Sequence, residues 1–104
     1  CIDTGHCNKA MRFGNLPAQD VIRLMGEHIT CLHLNDNDTL TDQHKIPMTG
    51  TMNWKEIFDA LDEVGYHGNY NIELNLKHFG EGFEIETAAF AVKVMKFLLQ
   101  QRLT

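Results

Sequence analysis

Three side chains stand where a chain could gather a cation: Asp3, His33 and Glu73; a further histidine, His6, lies three positions after the first. One imidazole and two carboxylates make a hard-to-borderline donor set. It suits Mn2+, Mg2+, Co2+ or Zn2+ better than a soft metal. Each residue has a plain reading when taken alone. Asp3 could form an Asx turn, a strand histidine is commonly packed or hydrogen-bonded, and a strand glutamate is commonly solvated. A second cluster follows, Asp36, Asp38, Asp42 and His44. Asp42-Gln43-His44 sets a carboxylate and an imidazole two residues apart, so in an extended segment both share a face and reach one ligand. The plain alternative there is an acidic, solvated loop. His28, His67 and His78 take no role.

These residues need elements to position them. Cys1-Ile2-Asp3 reads as a strand end, and residues 4–16 as a loop rich in Gly and Asn. Pro17 opens a helix, since its fixed φ suits the first turn. Val21, Leu24, Met25 and His28 fall on one face of that helix, which ends near Gly26. Residues 29–35 form a short strand with Leu32 and Leu34 on one face and Cys31, His33 and Asn35 on the other. A polar loop runs over 36–52. Asn53 caps the next helix, with Glu56 placed to complete a capping box. Trp54, Ile57, Phe58 and Leu61 make its buried stripe, and Gly65 stops it. Residues 70–74 read as a strand with Ile72 and Leu74 opposed to Asn71, Glu73 and Asn75. A last helix spans about 86–101, with Ala88, Ala91, Val92, Met95, Leu98 and Leu99 as its apolar face.

Alternating strands and helices predict an α/β fold with parallel strands. Both complete strands are aliphatic on one face and polar on the other. A flat sheet covered on both sides would be apolar on both faces. In a (β/α)8 barrel the outward face meets helices, and the inward face near the strand C-termini carries the active site. The barrel therefore accounts for the pattern. It also sends Asp3, His33 and Glu73, at three successive strand ends, to one mouth.

The chain has 104 residues, ordinary for one domain. With 43% hydrophobic residues it can build a core. A net charge of −5 and only nine scattered Lys and Arg argue against a nucleic-acid partner. Three cysteines without CxxC spacing predict no disulfide framework and a reducing, cytoplasmic setting. No apolar run approaches the ~20 residues that span a bilayer, and no signal peptide is visible, so no membrane partner is expected. The chain opens on Cys1, already at a strand end. Residues 1–104 thus read as a single partial domain, a fragment lacking its N-terminal strands.

The motifs resemble those of the xylose-isomerase-like TIM-barrel superfamily. Ile2-Asp3-Thr4-Gly5-His6 resembles its "DTGH" strand end, and Leu32-His33-Leu34-Asn35-Asp36-Asn37-Asp38 its "H-x-H/L-x-D-N" end. Asp42-Gln43-His44-Lys45-Ile46-Pro47, with Gly50 and Asn53-Trp54, is similar to the loop "D-x-H-x-x-P…G…(D/N)-W". Gly65-Tyr66-His67-Gly68 followed by Ile72-Glu73-Leu74 resembles "G-Y-x-G…(L/I)-E". One departure stands out: the family loop often reads "P-G-x-G", and this chain has Pro47-Met48-Thr49-Gly50.

The resemblance implies a segment from the end of strand six through helix eight of the barrel. It implies that Asp3, His33 and Glu73 bind a catalytic divalent metal, with a fourth ligand, a Glu on strand five, lying upstream. The activity implied is a sugar or sugar-phosphate isomerase or epimerase acting on a small carbohydrate, the metal stabilising an enediolate during proton transfer next to a carbonyl. Glu73 and the upstream Glu would be the acid/base pair, and His6 would hold the substrate oxygens. Asp42 and His44 would contact substrate or a second metal. An endonuclease IV-like zinc enzyme of the same superfamily is the first alternative, with His6, Asp42 and His44 on an additional zinc. A non-catalytic, self-associating fragment is the second. Three barrel strands leave two sheet edges and an inner face uncovered, which predicts a homo-oligomer. The 104-residue chain by itself is expected to be inactive.

Overall fold

The computed structural model describes residues 1–101. They form β1 (Ile2–Asp3), α1 (Thr4–Ala10), a 3-10 turn (Met11–Phe13) and α2 (Ala18–Met25). A second 3-10 turn (Gly26–His28), β2 (Leu32–His33), α3 (Trp54–Glu63) and α4 (Glu84–Gln101) follow. β1 and β2 pair in parallel, with Ile2 beside Leu32 and Asp3 beside His33. One residue past β2, Leu34 makes a parallel bridge to Ile72. Leu34 N–H donates to the Asn71 carbonyl at 2.8 Å and Glu73 N–H to the Leu34 carbonyl at 3.0 Å. Three extended segments therefore lie side by side in parallel.

Alternation puts Ile2, Leu32 and Leu34 on one side of this small sheet, where they are buried against the helices. Ile22 of α2, then Trp54, Ile57, Phe58 and Leu61 of α3, then Met95 and Leu98 of α4 complete the core. Each such side chain contributes roughly 1.5–3 kcal/mol by leaving water. α3 starts where predicted: the Asn53 side chain accepts the Glu56 N–H at 3.2 Å. Its stripe is buried throughout, and Gly65 ends it at φ +71°. The Glu56 carboxylate, however, turns to Arg23 at 3.3 Å instead of closing the capping box. Arg23 also holds Glu63 at 2.9 Å, which ties α2 to α3.

Several expectations are corrected. Residues 4–10, read as loop, form α1, because the Asp3 side chain caps it by accepting the His6 N–H at 3.0 Å. On α2 the buried positions are Ala18 and Ile22, while Leu24 is 77% exposed. Ile22 sits one turn on from Ala18 and joins the core; of the expected stripe Val21 packs against that core, while Leu24, Met25 and His28 are exposed. The strand over 29–35 pairs as β2 only at Leu32–His33, and residues 70–74 contribute a single bridge. β1 offers few partners, so the ladder is short. On α4, Ala91, Met95 and Leu98 are buried, but Val92 is exposed and Val94 packs inward.

The cysteines also differ from expectation: Cys1 and Cys31 are disulfide-bonded, and Cys7 is free. The β1–β2 register places Cys1 opposite Cys31 although 30 positions separate them. Among the described residues no helix is long and apolar enough to cross a membrane.

Candidate functional site

Asp3 ends β1 and caps α1, so its carboxylate is fixed from two sides. Its Oδ1 accepts the His6 N–H at 3.0 Å and the Asn35 side-chain N–H at 3.2 Å. Its Oδ2 lies 3.7 Å from His6 Nδ1. His33 ends β2 beside Asp3, and Glu73 follows the bridge at Ile72. His33 Nδ1 stands 2.8 Å from Glu73 Oε2. One donor atom each from Asp3, His33 and Glu73 lie within 4.8 Å of one another. The strand ends thus bring together the three residues singled out as a ligand set.

His6, Asp42 and His44 form a second group whose donors are likewise within 4.8 Å of one another. Asp42 Oδ2 is 3.5 Å from His6 Nε2, and its Oδ1 is 3.2 Å from His44 Nε2. His44 Nδ1 faces the Glu73 carbonyl at 3.0 Å and Glu73 Oε1 at 3.6 Å. The six side chains form one circuit in which imidazole and carboxylate alternate: Asp3, His6, Asp42, His44, Glu73, His33.

Electrostatics follow from the alternation. Burial works to raise the Asp42 carboxyl, but the His44 and His6 imidazoles outweigh it and hold the group below its usual range. Burial likewise disfavours charge on His44. Its bond to the Glu73 carbonyl and the Asp42 carboxylate outweigh that, so its imidazole is held above its usual value. Cys7 behaves oppositely: burial, then the Asp3 carboxylate, push its thiol up. Cys7 therefore carries little of the thiolate that a nucleophile needs.

Two acidic residues of the 36–44 cluster do other work. Asp36 is fully buried and its carboxylate accepts the N–H groups of Asn37, Met48, Gly50 and Met52 and the Trp54 indole N–H. It folds the loop that carries Asp42 and His44. Asp38 accepts the N–H groups of Leu40 and Thr41, and these bonds hold its carboxyl below the usual range. His78 faces the Gln43 carbonyl at 2.6 Å.

Strand alternation puts Asn35 on the His33 face, and its residue type alone points to no role there. The structure makes it the residue that orients Asp3. A Cβ on Gly5 would overlap the Asn35 amide, so glycine there leaves Asn35 its room. Thr4 and Asn8 complete the support: Thr4 Oγ1 donates to the Asn35 carbonyl at 2.9 Å, and the Asn8 amide to Asn37 Oδ1 at 2.7 Å. The signal available in the sequence was a run of small polar residues, Thr4, Gly5 and Asn8 against Asn35 and Asn37, that a solvated loop does not need.

The donor chemistry fits a divalent ion. Two carboxylates and one imidazole gather at strand ends, and Asp3 is braced by Asn35 from behind, as metal ligands commonly are. Met48, where the family loop has glycine, adopts φ +83°.

Comparison with known proteins adds the family. The family model described as "Xylose isomerase-like TIM barrel" matches residues 1–98. An uncharacterized protein of Methanocaldococcus jannaschii is 38% identical over 73 residues, 68% of this chain and 24% of that protein. The crystal structure of a D-tagatose 3-epimerase-like protein superposes on 95% of this chain with a TM-score of 0.59 and 25% identity. The chain spans 35% of that structure's length, so it corresponds to about a third of one relative and a quarter of the other.

Proposed function

The chain belongs to the xylose isomerase-like TIM barrel family, and from that premise we propose that it is the C-terminal portion of a sugar isomerase or epimerase. Residues 1–104 would supply strands six to eight of the barrel, with the fourth metal ligand upstream. The observation that carries the reading is the convergence of Asp3, His33 and Glu73 donors within 4.8 Å of one another. The epimerase-like structural neighbour supports it. So do the exposed Phe83, Ile85 and Phe90 of the C-terminal region, apolar surface that a larger barrel or a second copy would cover.

In this reading Asp3, His33 and Glu73 hold the ion. When bound, a divalent ion supplies Lewis-acid stabilisation of negative charge developing on substrate oxygens. Glu73 takes or returns the carbon-bound proton on a carboxylate oxygen. His44, against both the Glu73 carbonyl and Oε1, fixes the position of that carboxylate. His6 is 62% exposed and offers ring nitrogens to a carbohydrate hydroxyl or carbonyl oxygen. The substrate is a small carbohydrate, and the 104-residue chain alone is inactive because half of the acid/base pair is elsewhere.

A second reading rests on the other donor group. His6, Asp42 and His44 could seat an additional zinc, as in an endonuclease IV-like enzyme. The net charge of −5 disfavours a DNA substrate.

The test extends the chain upstream through strand five, measures bound metal and assays ketose epimerisation with Mn2+. Glu73→Gln should abolish turnover and weaken metal binding. Full activity with full metal after that change would remove Glu73 from the mechanism. Cleavage of abasic DNA, without effect on ketoses, would select the second reading.

A further inference from the structure

The β1–β2 register that sets Asp3 beside His33 also sets Cys1 opposite Cys31, with Cα atoms 4.5 Å apart. Strand alternation sends Cys1 and Asp3 to one face, and Cys31 and His33 to the same face of the neighbouring strand. A sulfur from each cysteine and a ring nitrogen of His33 lie within 4.8 Å of one another. Another donor set, Asp3 and Glu73, meets the same imidazole, with His33 Nδ1 2.8 Å from Glu73 Oε2. His33 therefore stands between two oxygen donors and two sulfur donors.

We infer that reduction of the Cys1–Cys31 bond creates a second cation site, built from the two sulfurs and His33, which takes a thiophilic ion such as Zn2+ and competes with Asp3 and Glu73 for the shared imidazole. A dithiol reductant delivers two electrons and two protons to the S–S bond. The reductant becomes a disulfide and Cys1 and Cys31 become thiols. A divalent ion then binds the two thiolates and expels two protons.

The geometry admits this. Two Zn–S bonds of ~2.3 Å at a tetrahedral angle set the sulfurs ~3.8 Å apart, within reach of cross-strand neighbours. Two thiolates and one imidazole leave a fourth position for water. Cys1 is exposed and Cys31 half-buried, so a reductant has access. Softness separates the two sites. Thiolates select Zn2+ or Cu+, and carboxylates select Mn2+ or Mg2+. The oxidised chain leaves His33 to the oxygen donors, and the reduced chain draws it to sulfur.

The test is a Co2+ titration of the 104-residue chain, oxidised and reduced, under anaerobic conditions with the reductant removed. The reduced chain should develop a thiolate-to-cobalt charge-transfer band saturating at one equivalent, and the oxidised chain should not. Cys31→Ser should abolish the band, and Cys7→Ala should keep it. Circular dichroism establishes that each variant is folded. His33→Ala should weaken Co2+ binding by roughly tenfold or more. Glu73→Gln should leave the band in place, which separates this site from the oxygen site proposed above. Absence of the band in the reduced chain, its survival in folded Cys31→Ser, or an affinity indifferent to His33→Ala would overturn the inference.

Discussion

Replacing Asp36 with Asn preserves the size of the side chain and exchanges one acceptor oxygen for an NH2 group. Asp36 Oδ1 accepts the N–H groups of Asn37 at 2.8 Å and Met52 at 3.3 Å. Its Oδ2 accepts those of Met48 at 3.2 Å and Gly50 at 3.1 Å, and the Trp54 indole at 2.8 Å. An amide can keep one set but not both. With NH2 at the first place, two donors lose their acceptor; at the second, three do. A buried donor left unpaired costs about 1–3 kcal/mol. The better orientation therefore costs ~2–6 kcal/mol, against a total of roughly 5–15 kcal/mol for a domain. The assay is urea unfolding followed by Trp54 fluorescence and by circular dichroism, read as a lower midpoint at constant slope. Asp38→Asn, whose partners lie in an exposed turn, should shift the midpoint far less. An Asp36→Asn chain within ~0.5 kcal/mol of the parent would refute the role of Asp36 as organiser of the loop.

Gly5→Ala should displace the Asn35 amide from Asp3, costing ~1–3 kcal/mol and weakening Mn2+ binding by roughly tenfold or more in calorimetry. Unchanged affinity would separate Asn35 from the metal site. Met48→Gly should raise stability by about 0.5–1 kcal/mol, since φ +83° burdens a residue with a Cβ more than it burdens glycine. A lower unfolding midpoint would contradict that. The Asp42–His44 pair carries a pH signature in the metal-free chain. Asp42 is lowered from 3.8, so its contribution is present above that value and is lost as pH falls through the folded value. His44 is raised from 6.5, so its contribution is present below that value and is lost as pH rises through the folded value. Both are complete between 3.8 and 6.5, where the stability gap to an Asp42→Asn/His44→Gln variant should be widest. A gap that keeps growing to about pH 9 would reverse the assignment.

The α3 stripe and its Asn53 cap were readable because both follow from local spacing and one short hydrogen bond. The strand–helix order and the paired aliphatic and polar faces were readable for the same reason. Helix α1 is not legible in the sequence, because its Gly and Asn resemble loop composition. Its cap comes from Asp3, a residue first noticed for its charge. On α2 periodicity alone does not say which of two overlapping apolar stripes meets a neighbour, and the structure buries Ala18 and Ile22 and leaves Leu24 exposed. The Cys1–Cys31 bond lies beyond any spacing rule, since it depends on strand register.

The sequence alone determined which residue types could hold a cation, that Asp3, His33 and Glu73 fall at strand ends, and that strands and helices alternate. Local periodicity and side-chain chemistry suffice for those statements. Tertiary structure decided the rest: that Asp36 builds a loop while Asp42 faces the circuit, that Asn35 braces Asp3, and that His33 lies near both the Asp3 and Glu73 carboxylates and the Cys1–Cys31 sulfurs. The Asp36 contacts reach up to 18 positions along the chain, while Asn35 meets Asp3 across 32 and Glu73 meets His33 across 40. Closing such loops is a property of the whole packed chain and leaves no mark in a short window of residues.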